Sequence, residues 1–171
     1  MKLKILIAGA VVILLMALAY ALNFWWNLGN GVGYAPEQPI PFSHKIHAGD
    51  NQIPCLYCHV NADKGRAATI PSLNVCMNCH SVVKPDSPYI QKLKEHYEKG
   101  QPIEWIKVHV QPDFVFFNHR PHIAKGVACE TCHGDVKNES RIEQIEKLNM
   151  GYCVDCHRQK AAPIDCYTCH R

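Results

Sequence analysis

The chain opens with its longest apolar run. Residues Ile5–Leu22 contain no charged side chain, and a run of 18 is long enough to cross the hydrocarbon core of a membrane as one helix. Lys2 and Lys4 precede the run and the aromatic residues 24–26 follow it, which favours a cytoplasmic N-terminus and an aromatic belt at the opposite interface. We therefore predict a transmembrane anchor over residues 1–26.

A cleaved signal peptide is the alternative interpretation of this segment, because Ala19-Tyr20-Ala21 resembles a small-residue cleavage site. The run is longer than a usual signal-peptide core, which favours a retained anchor. Both interpretations export the rest of the chain. We expect a single-pass protein of the inner (cytoplasmic) membrane, with its main domain on the periplasmic side.

After the anchor, the pattern predicts a linker and then one small domain. Glycines 29, 31 and 33 and prolines 36, 39 and 41 predict a linker without regular structure over residues 27–41. In the remainder, Ser87, Pro88 and Gly100 delimit one helix, and a capping box at Ser140 and Glu143 predicts a second helix that ends before Gly151. No useful alternating strand follows from the pattern. The predicted fold is mostly irregular and α-helical, with few short helices.

An internal repeat divides the domain, residues 42–171. Phe42-Ser-His44-Lys-Ile-His47 recurs 75 residues later as Phe117-Asn-His119-Arg-Pro-His122. We predict two related modules, residues 42–80 and 117–171.

All ten cysteines fall into five copies of one pattern, Cys-x-x-Cys-His. We number these motifs 1 to 5 in chain order: Cys55-Leu-Tyr-Cys58-His59, Cys76-Met-Asn-Cys79-His80, Cys129-Glu-Thr-Cys132-His133, Cys153-Val-Asp-Cys156-His157 and Cys166-Tyr-Thr-Cys169-His170. In this pattern two thiols form thioethers with a haem, and the histidine is the proximal ligand of its iron. Zinc sites or disulfides would explain cysteine pairs but not a histidine after every second cysteine. The sequence predicts five covalent haems c.

Six histidines lie outside the motifs and are available as sixth, distal ligands. We predict His44, His47, His119 and His122, because each His-x-x-His pair can direct two imidazoles to different haems, and His109 as the fifth. His96 lies among charged residues of its helix and is predicted to be solvated. Met150 is an alternative distal ligand that would raise the potential of its haem, and in that case one of the five histidines is not a ligand.

Composition adds two exclusions. The formal net charge is +3, and haem propionates would make it negative, so we expect no nucleic-acid binding. With both axial positions filled on every iron, we predict no catalytic residue. Electron transfer is the function that follows.

The paired histidines ahead of Cys-x-x-Cys-His resemble those of class III multihaem cytochromes. The middle of the chain is also similar to the pentahaem subunit of alternative complex III, in the segments 102–105, 108–109, 112–115, 126–128 and 150–158. That resemblance implies a respiratory membrane complex that oxidises quinol. Its partners would be an iron–sulfur protein as electron donor, a quinol-binding integral membrane subunit, and a monohaem cytochrome c as acceptor. The alternative is a membrane-anchored multihaem quinol dehydrogenase that oxidises quinol directly.

Overall fold

The computed structural model describes residues 2–27 and 31–170. Met1, residues 28–30 and Arg171 lie outside it, and with them Gly29 of the predicted linker; the Trp26 side chain is likewise not described. The helices are α1 (Lys2–Asn27), a π-helical turn (Lys45–Asp50), α2 (Cys55–Cys58), α3 (Leu73–His80), α4 (Pro88–Glu98), α5 (His119–Ala124), α6 (Glu130–His133), a 3-10 turn (Val136–Asn138), α7 (Met150–Gln159) and α8 (Cys166–Cys169). No strand occurs among the described residues. The predicted mostly irregular and helical architecture is confirmed.

The first helix has the properties of a membrane span. Within α1, the stretch Lys4–Trp25 has a mean hydropathy of 2.8 and none of it is buried in the protein. A soluble core helix of this apolarity would be covered by neighbouring elements. The helix therefore fits a single-pass membrane anchor.

The hydrophobic core is thin. Ile40, Leu93 and Ile103 form a buried cluster, against which further side chains pack: Leu73, Cys76, Met77, Ile90 and Trp105. The cluster lies where α3 meets α4. A core this small leaves the domain dependent on other apolar surface for its stability.

Helix α4 forms where the sequence predicts it. Ser87 is the N-cap, Pro88 occupies the first helical turn, and Gly100 follows the helix with a φ of +65°. Ile90 and Leu93 face the core from this helix. Local capping signals and the apolar face agree here, which is why the prediction is confirmed.

The helix predicted from the capping box at Ser140 is wrong, because residues 140–149 are irregular and α7 begins only at Met150. The reason lies in the linker. The Gly33 amide donates to the Gln144 carbonyl (2.9 Å), and the Gln144 amide donates to the Tyr34 carbonyl (3.1 Å). Arg141 also contacts Glu37 at 3.3 Å. These partners compete with the i to i−4 hydrogen bonds of a helix, so residues 140–149 stay non-helical. The described linker residues 31–41 lack regular structure but are docked on the domain through the same contacts.

Candidate functional site

Each of the five motifs lies on a short helical segment. Motifs 1 and 5 begin helices of a single turn, α2 and α8, and motif 3 lies on α6 and its N-cap. Motif 2 ends α3, and motif 4 lies within α7. Residues three and four apart share one face of a helix, so one turn directs two thiols and an imidazole to the same side. All ten cysteines are free of disulfide bonds.

The histidines of four motifs are held by their Nδ1 atoms. Each Nδ1–H donates to a backbone carbonyl: His59 to Thr69 (2.6 Å), His80 to Val83 (3.1 Å), His157 to Pro163 (2.6 Å) and His170 to Phe114 (3.1 Å). A carbonyl oxygen can only accept, so the proton is on Nδ1. This leaves the lone pair of Nε2 free for a metal, with the ring orientation set by the carbonyl.

Three histidines outside the motifs show the same arrangement. Nδ1 of His47 donates to the Ser43 carbonyl (2.8 Å), Nδ1 of His122 to Asn118 (2.7 Å), and Nδ1 of His119 to Arg66 (2.8 Å). They too present Nε2 as the available donor. His96, predicted to be solvated, is half-buried, and its Nδ1 lies 3.3 Å from the Pro102 carbonyl.

These outer histidines face the histidines of particular motifs. The ring centres of His47 and His80 are 6.1 Å apart, those of His119 and His133 are 6.3 Å apart, and those of His122 and His157 are 5.9 Å apart. Residues distant in the sequence are thereby brought together in pairs.

The repeated phenylalanine, which the sequence analysis used only to recognise the repeat, orients both histidines of its module. Phe42 stacks on His47 at 4.4 Å and meets His44 edge-on at 4.9 Å. Its counterpart, Phe117, lies 4.7 Å from His119 and 4.9 Å from His122. The position of this residue in both copies of Phe-x-His-x-x-His was the signal that could have revealed its role.

Burial favours the neutral form of two of the imidazoles. Desolvation lowers the pKa of His44 to about 4, with smaller contributions from the charges of His59 and His47. Desolvation also lowers the pKa of His133 to about 4, and the neighbouring His109 and His119 reinforce the effect. Neutral imidazole is the form that binds a metal.

The chain is similar in sequence to known proteins. The family described as cytochrome c7 and related cytochrome c matches residues 115–171. A menaquinone reductase, multiheme cytochrome c subunit, from Nitratidesulfovibrio vulgaris, is 30% identical over 91% of this chain and 88% of its own length. The chain belongs to the multihaem cytochrome c family. The high-molecular-weight cytochrome c of the same organism is 26% identical, and the match covers 68% of this chain and 26% of that longer protein.

The residues present fit haem c. The cysteines of each motif lie within one helical turn, and three motif histidines each have a histidine from outside the motifs with its ring centre about 6 Å away. Two imidazoles on one iron, with metal–nitrogen bonds of about 2 Å, would hold their ring centres about 6 Å apart, which the three measured pairs match. These distances fit the donor set of a bis-histidine haem iron.

His109 and Met150 differ in their surroundings. The His109 ring is perpendicular to that of His133 at 4.5 Å, which is too close for the two to share an iron. Its Nε2 is buried and has no hydrogen-bond partner among the described residues. The Met150 side chain is 70% exposed at the start of α7. A buried, unpaired Nε2 is the group that a metal would satisfy, which favours His109 over Met150.

Proposed function

We propose that the cytochrome carries electrons over five covalently attached haems c as a subunit of a membrane-bound quinone oxidoreductase. The cysteines of motifs 1 to 5 form the thioethers, and the motif histidines, His59, His80, His133, His157 and His170, are the proximal ligands. Bound haem supplies the one-electron chemistry. The chain's own part is to orient the ligands and bury the porphyrins.

The distal ligands follow one rule in both modules. The first histidine of each His-x-x-His pair serves the first motif after it, and the second histidine serves the next motif. The ring distances support this for His47 with motif 2, His119 with motif 3 and His122 with motif 4. His44 completes the rule with motif 1, since the charge of His59 acts on it. His109 is the one predicted distal ligand still unassigned, so we assign it to the iron of motif 5.

The near full-length relative supports the assignment to a quinone-linked complex. Menaquinone is the substrate in that protein's name, and the match extends over 88% of its length. We therefore propose menaquinone, or its quinol, as the substrate of the complex. A membrane anchor would keep the haem domain beside the membrane that dissolves the quinone, and Lys2 and Lys4 before the apolar run support the periplasmic side for this domain.

Alternative complex III is the second candidate, supported by the sequence resemblance in segments such as 150–158. In both candidates the cytochrome is an electron carrier, and the resemblance to alternative complex III adds an iron–sulfur protein and a quinone-binding integral membrane subunit as proposed partners. They differ in direction. A reductase passes electrons from the cytochrome to quinone, whereas alternative complex III passes them from quinol to a monohaem cytochrome c or a similar acceptor.

A redox assay on the native complex separates the candidates. The complex is reduced anaerobically and mixed with a menaquinone analogue, or oxidised and mixed with the corresponding quinol, and the ferrous haem c band is followed. Rapid reoxidation by quinone supports the reductase, and rapid reduction by quinol with transfer to cytochrome c supports alternative complex III. The purified chain alone should react with neither. Fast reduction of the isolated chain by quinol would instead identify a quinol dehydrogenase and overturn the proposal.

A further inference from the structure

Motifs 1 and 2 are in contact in the first module. Asn78, within motif 2, donates through Nδ2 to the hydroxyl of Tyr57, within motif 1, at 3.0 Å. The Cys58 sulfur also lies near those of Cys55 and Cys79. In the haem protein these sulfurs are thioethers, so their proximity marks two neighbouring attachment points.

Motif 1 meets the second module at the segment 66–69. The segment 66–69 supplies two carbonyls three residues apart. The Thr69 carbonyl holds Nδ1 of His59 in motif 1 (2.6 Å), and the Arg66 carbonyl holds Nδ1 of His119 (2.8 Å), the partner of His133 in motif 3. The sulfur of Cys129 in motif 3 also lies near that of Cys55 in motif 1.

The second module continues in chain order. The Tyr152 hydroxyl, next to motif 4, donates to the carbonyl of Thr131 in motif 3 at 2.5 Å. Motif 4 lies beside motif 5, because the Pro163 carbonyl, three residues before Cys166, accepts from Nδ1 of His157. The sulfurs of Cys153 and Cys169 also lie near one another.

From these contacts we infer that the five haem-binding motifs follow the spatial order 2, 1, 3, 4, 5, with the joint between the two modules formed by motifs 1 and 3 across the segment 66–69. The inference rests on the proposed haem attachment. It differs from the chain order, in which motif 2 precedes motif 3. Motifs 2 and 5 are then the two ends of the series.

Arg66 is the positioning residue of this joint. Its guanidinium donates through Nη2 to the Val115 carbonyl (2.8 Å) and through Nε to the Phe117 carbonyl (3.2 Å), and it lies 4.3 Å over the Phe116 ring. Its own carbonyl accepts from both Nδ1 and the amide of His119. The side chain thus clamps residues 115–117 while the backbone orients the distal ligand two residues further on.

Two measurements on the full-length haem-loaded chain test the inference. Iron–iron distances from an experimental structure should place the motif 1 iron nearest to that of motif 3, with motifs 2 and 5 at the ends. A motif 2 iron closer than the motif 1 iron to motif 3 would overturn the order. This outcome is independent of the quinone assay, which concerns the partners of the chain.

The second measurement addresses Arg66 by electron paramagnetic resonance. Arg66→Ala should convert about one haem in five from low-spin to high-spin, because residues 115–117 lose the guanidinium that holds them and His119 is no longer fixed in position. Arg66→Lys, which keeps the charge and one donor, should restore part of the low-spin signal. Lys94→Gln is the control, because it also removes one positive charge but only breaks an exposed pair with Glu98. A low-spin spectrum for Arg66→Ala indistinguishable from that of the control would refute the positioning role.

Discussion

The imidazoles of His122 and His157 face one another with ring centres 5.9 Å apart, although they belong to the separate helices α5 and α7. Each ring is held from behind by a carbonyl, that of Asn118 for His122 and that of Pro163 for His157. Two imidazoles fixed in this way leave between them the space for one iron. The pair is the clearest example of the arrangement that both modules repeat.

Replacing a distal histidine should change the spin state of one haem. We expect His122→Ala to convert about one haem in five from low-spin to high-spin, because the iron of motif 4 loses its sixth ligand. Electron paramagnetic resonance of the oxidised protein measures this. His96→Ala, which removes a histidine that is not predicted to be a ligand, should leave the spectrum unchanged, and a high-spin haem in that variant would contradict the ligand assignment.

The choice between His109 and Met150 can be decided with one pair of variants. We expect His109→Ala to produce one high-spin haem and Met150→Leu to leave spectrum and potentials unchanged, because the Nε2 of His109 is buried while Met150 is exposed. A redox titration with spectral detection compares them. Loss of the most positive potential in Met150→Leu would instead identify the thioether as a ligand.

The number of attached haems should equal the number of intact Cys-x-x-Cys-His motifs. Intact mass spectrometry of the mature chain is expected to show five attached haems. The double variant Cys166→Ala/Cys169→Ala should carry four, because thioether formation depends on the two thiols of a motif. An unchanged mass increment in this variant, relative to the parent chain, would show that motif 5 does not bind haem covalently.

Because the hydrophobic core is small, the stability of the domain should depend strongly on its central residue, Leu93. Leu93 is 5% exposed at the contact of α3 and α4, so Leu93→Ala should destabilise the domain by about 2–5 kcal/mol. Ile106, 43% exposed, is the matched control, and its replacement by alanine should cost less than about 1 kcal/mol. Denaturant unfolding followed by haem absorbance compares the two. An equal loss of unfolding free energy in both variants would show that haem burial, rather than this cluster, sets the stability of the domain.

The docked linker should resist proteolysis unless its packing is disturbed. A Cβ added at Gly31 (φ +71°) would approach the buried side chain of Gln144 at 2.6 Å, whereas a Cβ at Gly100 (φ +65°) would meet nothing within 4 Å. Both alanine variants bear the cost of a left-handed backbone, about 1 kcal/mol. Only Gly31→Ala should also loosen the linker, seen as faster cleavage between residues 31 and 41. Equally fast cleavage in both variants would argue against docking.

Local chemistry was readable without coordinates. The spacing of each motif places thiols and imidazole within one helical turn, the run Ile5–Leu22 has the length of a membrane span, and Ser87 with Pro88 starts α4 where predicted. These signals lie within a few residues of one another along the chain. The capping box at Ser140 is equally local, yet it failed because the linker provides competing hydrogen-bond partners for the same backbone.

The sequence by itself therefore determined the apolar anchor helix and the mostly irregular and helical fold, and it predicted the donor groups and the two repeated modules. Only the tertiary structure decided which imidazoles lie close together, that the segment 66–69 holds both His59 and His119, and that residues 31–37 of the linker lie on residues 141–144. The physical reason is the separation along the chain of the residues that must interact. Helical geometry depends on neighbours three or four positions away, whereas ligand pairs and docking depend on contacts between residues far apart in the chain, which local patterns do not encode.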